Sequence, residues 1–117
     1  MRSFKELKVC KKGNELAIAI YKITATFPKE DLCGMVSQLR RTGVSIPANI
    51  VKASVRDADW DIARFLHVAS GSASEVEYLI LQSRDFNWLT DDKYDQINRQ
   101  VIEIKEILTS FIQALKR

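Results

Sequence analysis

Residues 94–115 read YDQINRQVIEIKEILTSFIQAL, and this stretch decides the fold class. Its apolar side chains recur at alternating intervals of three and four residues, at Tyr94, Ile97, Val101, Ile104, Leu108, Phe111 and Leu115. That spacing places them on one face of an α-helix, which turns once in about 3.6 residues. Thr90 is a suitable N-cap, and Asp91 and Asp92 suit the positive end of the helix dipole. The stretch therefore predicts an amphipathic helix.

The same spacing extends backwards through three more segments. The first segment contains Leu16, Ile20, Ile23 and Phe27. The second contains Leu32, Val36, Leu39, Gly43, Ile46, Ile50 and Ala53. The third contains Ile62, Leu66, Ala69, Ala73, Val76 and Ile80. Four long helices joined by short turns predict an all-α, up-down-up-down four-helix bundle that forms a single domain over residues 1–117.

Two prolines and two aspartates predict where the helices begin and bend. Pro28 suits the first position of a helix, so we expect the second helix to begin there. Pro47 lies inside the second pattern without shifting its phase, which predicts one helix kinked at Pro47. Asp57 or Asp59 is expected to cap the third helix, because either carboxylate can accept hydrogen bonds from the first free N–H groups.

The composition is that of one folded domain without a membrane anchor. Of 117 residues, 46% are hydrophobic and 28% charged, and four glycines with two prolines are too few for the turns of a β-sandwich. The longest apolar run is too short for a signal peptide or a membrane span. Cys10 and Cys33 have the spacing of neither a disulfide framework nor a metal site. We expect a cytoplasmic protein with reduced thiols and no membrane partner.

Residues for catalysis are hard to find in this sequence. His67 is the only histidine; its local helix neighbours are Asp59, Asp61 and Arg64, and it stands off the main apolar face, so we expect it at a surface or an interface. The Glu-x-x-His pairs of di-iron bundles are absent. Residues 70–74, SGSAS, lack the Lys-Ser/Thr ending of a phosphate-binding loop. We therefore predict no catalytic residue, no metal site, no cofactor and no enzymatic activity.

Charge is divided unevenly along the chain. Residues 1–56 contain 11 Lys/Arg and 4 Asp/Glu, whereas residues 57–117 contain 7 and 11. Such a division suits a polyanion-binding face or complementary subunit edges, and two solvated charged faces are the alternative.

One edge of the second helix concentrates this basic charge. At about 100° per residue, the same edge, pointing away from the apolar face, carries Arg41, Ser45, Asn49, Lys52 and Arg56. These side chains are of the types that hold nucleic-acid phosphates, and no aromatic residues alternate with them to stack on bases. We therefore predict backbone-led binding of RNA or DNA. The alternative is that the cations pair with acidic side chains of a neighbouring helix or subunit.

The apolar residues exceed what one stripe per helix requires. Residues 16–21 of the first helix are apolar almost all round. Further apolar positions beside the main stripes are Phe65, Val68, Leu79, Ile102, Ile107 and Ile112. Extra apolar faces on a small protein are typical of an interface, so we predict self-association. The alternative is that the broad stripes fill the core of the bundle.

Two segments resemble a known family. These are residues 37–50, SQLRRTGVSIPANI, and residues 65–75, FLHVASGSASE, together with Tyr21-Lys22-Ile23-Thr24 and Phe27-Pro28. They resemble the bacterial four-helix bundle proteins encoded in intervening sequences of 23S ribosomal RNA genes, which are often labelled S23 ribosomal proteins. That family is related to the accessory protein of diversity-generating retroelements, a basic, barrel-shaped pentamer that binds nucleic acid. The resemblance implies a ring-like homo-oligomer, a pentamer, and supports a nucleic-acid partner.

The motif residues of this family match Gln38, Arg41, Ser45, Asn49, Ser72 and Glu75 of the chain. We interpret Gln38, Ser72, Glu75 and the neighbouring Leu79 as interhelix or oligomer contacts, with Arg41 and Gln38 as polar partners for Ser72 and Glu75. The chain departs from the family pattern at Lys52, where an acidic residue is usual, and at Ala53, where glycine is usual. The departure makes the edge more basic.

Two functions remain open at this stage. The first is a non-enzymatic oligomeric bundle that binds nucleic acid, with structured RNA favoured. The second is a scaffold that binds a protein partner, in which the motif residues only hold the bundle and the oligomer together.

Overall fold

Four helices make up the computed structural model, which describes residues 3–29 and 34–116 but not the side chains of Phe4 and Lys5. Helix α1 spans Phe4–Thr24, α2 spans Met35–Ser54, α3 spans Asp59–Asp85 and α4 spans Asp91–Leu115. No strand occurs within these ranges. The predicted all-α fold and four helices are confirmed.

The helices pack in chain order around a closed bundle. Helix α2 packs against α1 and α3, while α4 packs against α3 and α1. The bundle measures 45 × 24 × 18 Å, about the length of one long helix by two helix diameters. Because short connections join the consecutive helices, neighbours run antiparallel, as in an up-down-up-down bundle.

The core consists of the apolar faces that the spacing predicts. The largest side chains that are almost fully buried are Leu16, Ile20, Leu39, Ile46, Ile50, Leu66, Ile80, Ile104 and Leu108. All four helices contribute to this set, so the core is continuous along the bundle. Burial of each such side chain stabilises the fold by about 1.5–3 kcal/mol before the entropy of folding is subtracted.

Helix α2 begins later than predicted. It starts at Met35 and not at Pro28, which lies in the connection after α1. The buried Phe27 ring, 5.7 Å from the Trp88 ring, ties this connection to the turn between α3 and α4 at the same end of the bundle, so the local signal of Pro28 does not nucleate the helix. Leu32 and Cys33 lie outside the described residues.

Proline does not interrupt α2. The helix runs through Pro47 to Ser54, which confirms the single helix expected from the unshifted phase. Pro47 lies against Gly13 of α1, where an added Cβ would be 3.5 Å from the proline ring. Helices α1 and α2 therefore approach each other closely where the Pro47 ring meets Gly13. The kink itself stays a prediction.

The two later helix starts differ in their caps. Thr90 caps α4 as predicted, its hydroxyl accepting a hydrogen bond from the Lys93 N–H. The predicted Asp57 or Asp59 cap of α3 is wrong, since the N-cap is Ala58 and makes no side-chain hydrogen bond. Asp59 is the first residue of the helix, where its negative charge is stabilised by the positive end of the helix dipole.

None of the described helices combines the length and the apolar character needed to cross a membrane.

Two glycines of this fold give a matched stability test. Nothing lies within 4 Å of a Cβ added at Gly71, so Gly71→Ala is expected to raise the free energy of unfolding by about 1 kcal/mol through helix propensity. A Cβ at Gly43 would lie 2.8 Å from Ile20 Cδ1, and Ile20 is fully buried. Gly43→Ala should therefore gain less, because Ile20 has to repack. Urea unfolding of both variants measures the difference, and equal gains would contradict the close α1–α2 contact.

Candidate nucleic-acid interface

The outer edge of α2 carries cations that no acidic side chain neutralises. Helix α2 contains no Asp or Glu. Arg41 and Lys52 are exposed, and neither forms an ion pair with any residue in 3–29 or 34–116. In contrast, Lys12 contacts Glu103 at 2.8 Å and Lys105 contacts Glu77 at 2.9 Å. Arg41 and Lys52 are therefore available to a ligand, as are Lys93 and Arg99 of α4, whereas Lys12 and Lys105 are paired.

Ser45 and Asn49 do not share this outward position. Asn49 is 8% exposed, and its Nδ2 donates to the carbonyl oxygen of Ser45 at 2.8 Å and to Ser45 Oγ at 3.0 Å. Ser45 Oγ lies 2.9 Å from Ser72 Oγ of α3. The expectation that this edge points away from the core is wrong for Asn49, because α3 covers the side of α2 that an isolated helix would expose.

A second polar contact joins the same two helices. Thr42 Oγ1 donates to Glu75 Oε2 at 2.6 Å, and Thr42 is 6% exposed. With Ser45, Asn49 and Ser72, this pair forms what we call the α2–α3 polar contact. Thr42 and Ser45, rather than the expected Arg41 and Gln38, are the partners of Glu75 and Ser72. Thr42 was not among the predicted contact residues, although it lies one helical turn before Ser45.

The other two predicted contact residues differ in position. Leu79 is 3% exposed within the single chain, so it serves the core of the bundle and is not available to a second subunit. Gln38 is exposed at the start of α2, where its backbone N–H donates to the Gly34 carbonyl, and its side chain makes no hydrogen bond with another described residue. Of the four residues proposed as interhelix or oligomer contacts, only Gln38 thus offers its side chain freely to another molecule.

Arg56 lies at the turn between α2 and α3 and is partly engaged. Its guanidinium carbon lies 4.6 Å from the centre of the Phe65 ring, and its Nε lies 3.8 Å from Asp61 Oδ2. Arg64 lies 4.3 Å from the centre of the same ring and donates two hydrogen bonds to Asp61 Oδ1. One carboxylate therefore accompanies two guanidinium groups, which leaves a net positive charge. Arg64 could have been identified from the sequence, because it follows Asp61 by three residues and such pairs form ion pairs on a helix.

A groove runs beside this edge, between α1 and α2. It has a volume of about 540 Å³ and is lined by Tyr21, Val36, Ser37, Arg40, Arg41 and Val44. Arg40 is held in place, because its Nε donates to Thr24 Oγ1 at 2.9 Å and its guanidinium lies 4.3 Å from the centre of the Tyr21 ring. Tyr21 and Val44 are about half exposed. The groove is therefore lined partly by apolar side chains and partly by two arginines.

Groups suited to acid-base or metal chemistry are dispersed. His67 is exposed, and within the described residues no cluster of three or more His, Cys, Asp or Glu could hold a metal ion. Burial raises the pKa of the Cys10 thiol, which makes it a poorer nucleophile. The hydrogen bond to Glu103 raises the pKa of Lys12. The exposed Arg41 and Lys52 are side chains of the kind that bind anions.

Comparisons with known proteins agree on one group of relatives. The model of the family described as 23S rRNA-intervening sequence protein matches residues 5–110. A similar solved structure is a protein of unknown function from the S23 ribosomal protein family of Bacteroides thetaiotaomicron VPI-5482, determined at 1.70 Å resolution. It is 30% identical to this chain, with a TM-score of 0.87, over 94% of this chain and 99% of that one. No curated protein matches the chain significantly.

Proposed function

The chain belongs to the 23S rRNA-intervening sequence protein family, and from this premise we propose that it is a non-catalytic, self-associating helical bundle that binds structured RNA. The unneutralised cations on the acid-free helix α2 support this proposal most directly. The name of the family refers to ribosomal RNA genes and is consistent with an RNA ligand, although it describes where such proteins are encoded.

Binding is proposed to be led by the phosphate backbone. Arg41 and Lys52 lie 11 residues apart on one helix, a rise of about 16 Å, so they can contact phosphates more than one nucleotide apart. Lysine and arginine bind phosphates by charge and counterion release, which carry little sequence information. Because Ser45 and Asn49 are occupied within the bundle, they cannot read base edges from this surface. The proposed ligand is therefore recognised by its shape and charge.

Self-association is proposed to use the groove between α1 and α2. Exposed apolar side chains border it, at Ile18, Tyr21 and Val44, and each is about half exposed. A contiguous apolar surface of this kind favours a protein partner, and a second copy of the chain is the simplest one. A closed ring, a pentamer as in the related accessory protein, would repeat the cationic edge around the assembly. Repetition raises the apparent affinity for a long RNA through multivalency.

The same groove supports a second candidate function. If it binds a different protein, the chain is a scaffold or an accessory subunit, and the α2–α3 polar contact serves only to hold the bundle together. The apolar character of the groove favours the scaffold function, because RNA binding through phosphates does not need an apolar surface. The two candidates differ in whether the purified chain is already an oligomer.

Reversing the free charges on α2 tests RNA binding. Arg41→Glu/Lys52→Glu is expected to lower the affinity for a structured RNA at least about tenfold and to reduce the slope of log affinity against log salt by about two. Filter binding between about 50 and 200 mM salt measures both quantities.

A matched control places the same change on α4. Lys93→Glu/Arg99→Glu alters the net charge equally at two exposed sites, and we expect it to weaken binding less than about threefold. Retention of neither RNA nor DNA by the unaltered protein at about 50 mM salt would refute the proposed function. Equal losses in the two variants would show that only net charge matters and that α2 is not the site.

Val44 tests self-association. We expect the unaltered chain to exceed the mass of a monomer in light scattering, and Val44→Asp to shift it towards the monomer, because removing a carboxylate from water at an apolar interface is costly. Val68→Asp is the control, since Val68 is equally exposed on α3. A monomeric unaltered chain would refute self-association and favour the scaffold.

A further inference from the structure

The turn between α3 and α4 presents an exposed aromatic ring in a fixed position. Phe86 is the C-cap of α3 and is 51% exposed. The Asn87 N–H donates to the Arg84 carbonyl and the Trp88 N–H to the Ser83 carbonyl, while Asn87 has a φ of 64°. These hydrogen bonds and the left-handed Asn87 form a Schellman motif, which fixes the backbone at the helix end. The Phe86 ring also lies 5.1 Å from the Trp88 ring, which supports it on one side.

The same turn is acidic. Residues 85–95, which we call the acidic tip, contain four aspartates and one lysine. Three of these aspartates are exposed and form no ion pair with any residue in 3–29 or 34–116, namely Asp91, Asp92 and Asp95. The fourth, Asp85, is also exposed, and its Oδ1 lies 3.8 Å from Arg84 Nη2, which is longer than a hydrogen bond. The acidic tip therefore combines an apolar ring with unneutralised negative charge.

The groove between α1 and α2 has the opposite charge. Three cations line the groove and its continuation along α1, at Lys22, Arg40 and Arg41, and none of the described lining residues is Asp or Glu. Arg40 is half-buried and held by Thr24 and the Tyr21 ring, yet no carboxylate of residues 3–29 and 34–116 pairs with it. A fixed, partly desolvated cation without a counter-ion favours a carboxylate from another molecule.

The acidic tip and the groove of one chain cannot meet each other. Helices α3 and α4 lie on the far side of the bundle from the groove, because α2 packs against α1 and α3 while α4 packs against α3 and α1. Each chain therefore carries an acidic aromatic projection and, elsewhere, a basic groove with apolar walls. Two different surfaces that match each other make a heterologous contact, which repeats from copy to copy and forms a ring when the rotation closes.

We propose that the acidic tip of one copy of the chain docks in the α1–α2 groove of the next copy. Phe86 then packs against Tyr21 and Val44, and Asp85 pairs with Arg40. An aromatic anchor in an apolar groove beside an arginine is typical of the residues that dominate binding at protein interfaces. The inference rests on the proposed function and deepens it, because it names the surface that fills the groove. The ion pair uses Arg40, which is not among the cations proposed to bind RNA.

Mixing two variants tests the contact. Phe86→Asp removes the tip and Val44→Asp removes the groove, so each variant alone is expected to be a monomer in light scattering. An equal mixture should form a heterodimer, because the intact tip of the Val44→Asp copy fits the intact groove of the Phe86→Asp copy. Only a contact between two different surfaces restores association in this way, and the heterodimer also shows that both variants are folded.

Tyr78→Asp is the matched control for Phe86→Asp, since Tyr78 is a 59% exposed aromatic residue on the outer face of α3. It should leave the mass of the oligomer unchanged. A second pair of variants tests the charges. Asp85→Lys is expected to weaken self-association at least about fivefold, because Arg40 then faces a like charge, whereas Asp57→Lys at the other end of α3 should change it less than about twofold.

The outcomes separate this inference from the proposed function. If Phe86→Asp keeps the mass of the unaltered protein, if the mixture stays monomeric, or if Asp57→Lys weakens association as much as Asp85→Lys, docking of the acidic tip is refuted, while RNA binding and self-association through another surface stand. If the unaltered chain is a monomer, the docking of the tip and the proposed self-association are refuted together.

Discussion

The α2–α3 polar contact is the constraint on which the rest of the structure depends. Thr42 and Ser45 meet Glu75 and Ser72 at the edge of the apolar packing between α2 and α3, where Glu75 is exposed and both serines are half-buried. Each hydrogen bond adds only about 1 kcal/mol, but an unpaired buried hydroxyl costs about as much or more, so other registers of α2 against α3 are disfavoured. Fixing this register also fixes the rotation of α2. Arg41 and Lys52 face outward because Thr42 and Asn49 face α3.

The orientation of α2 explains why the polar residues of one motif differ in accessibility: Ser45 and Asn49 are engaged inside the bundle, whereas Arg41 is exposed. Side chains on the inner side of α2 are occupied by the bundle, while those on the outer side remain available. Lys12 and Lys105 are paired with glutamates of other helices, whereas α2 has no acidic residue of its own to balance Arg41 and Lys52. Lys52 adds to the positive charge of this edge near the end of α2.

Most of the fold could be predicted from the sequence, because a 3.6-residue period in 20-residue segments leaves few alternatives. The starts of α2 and α3 could not be predicted in this way. Pro28 and Asp57 carry valid local signals, but the anchoring of Phe27 and the position of Ala58 depend on the tertiary structure. The candidate site was predictable in part: the outward direction of Arg41 follows from the apolar face of α2. The burial of Asn49 does not, since it depends on where α3 lies.

The most direct test compares Asn49→Ala with Arg41→Ala, measuring the free energy of unfolding and the RNA affinity of each variant. We expect Asn49→Ala to lower the free energy of unfolding by about 1 kcal/mol and to leave the RNA affinity unchanged, because the Asn49 amide bonds to Ser45 inside the bundle. Arg41→Ala should show the reverse, with unchanged stability and weaker binding. Loss of RNA affinity in Asn49→Ala at unchanged stability would show that Asn49 belongs to the RNA-binding surface and not to the bundle.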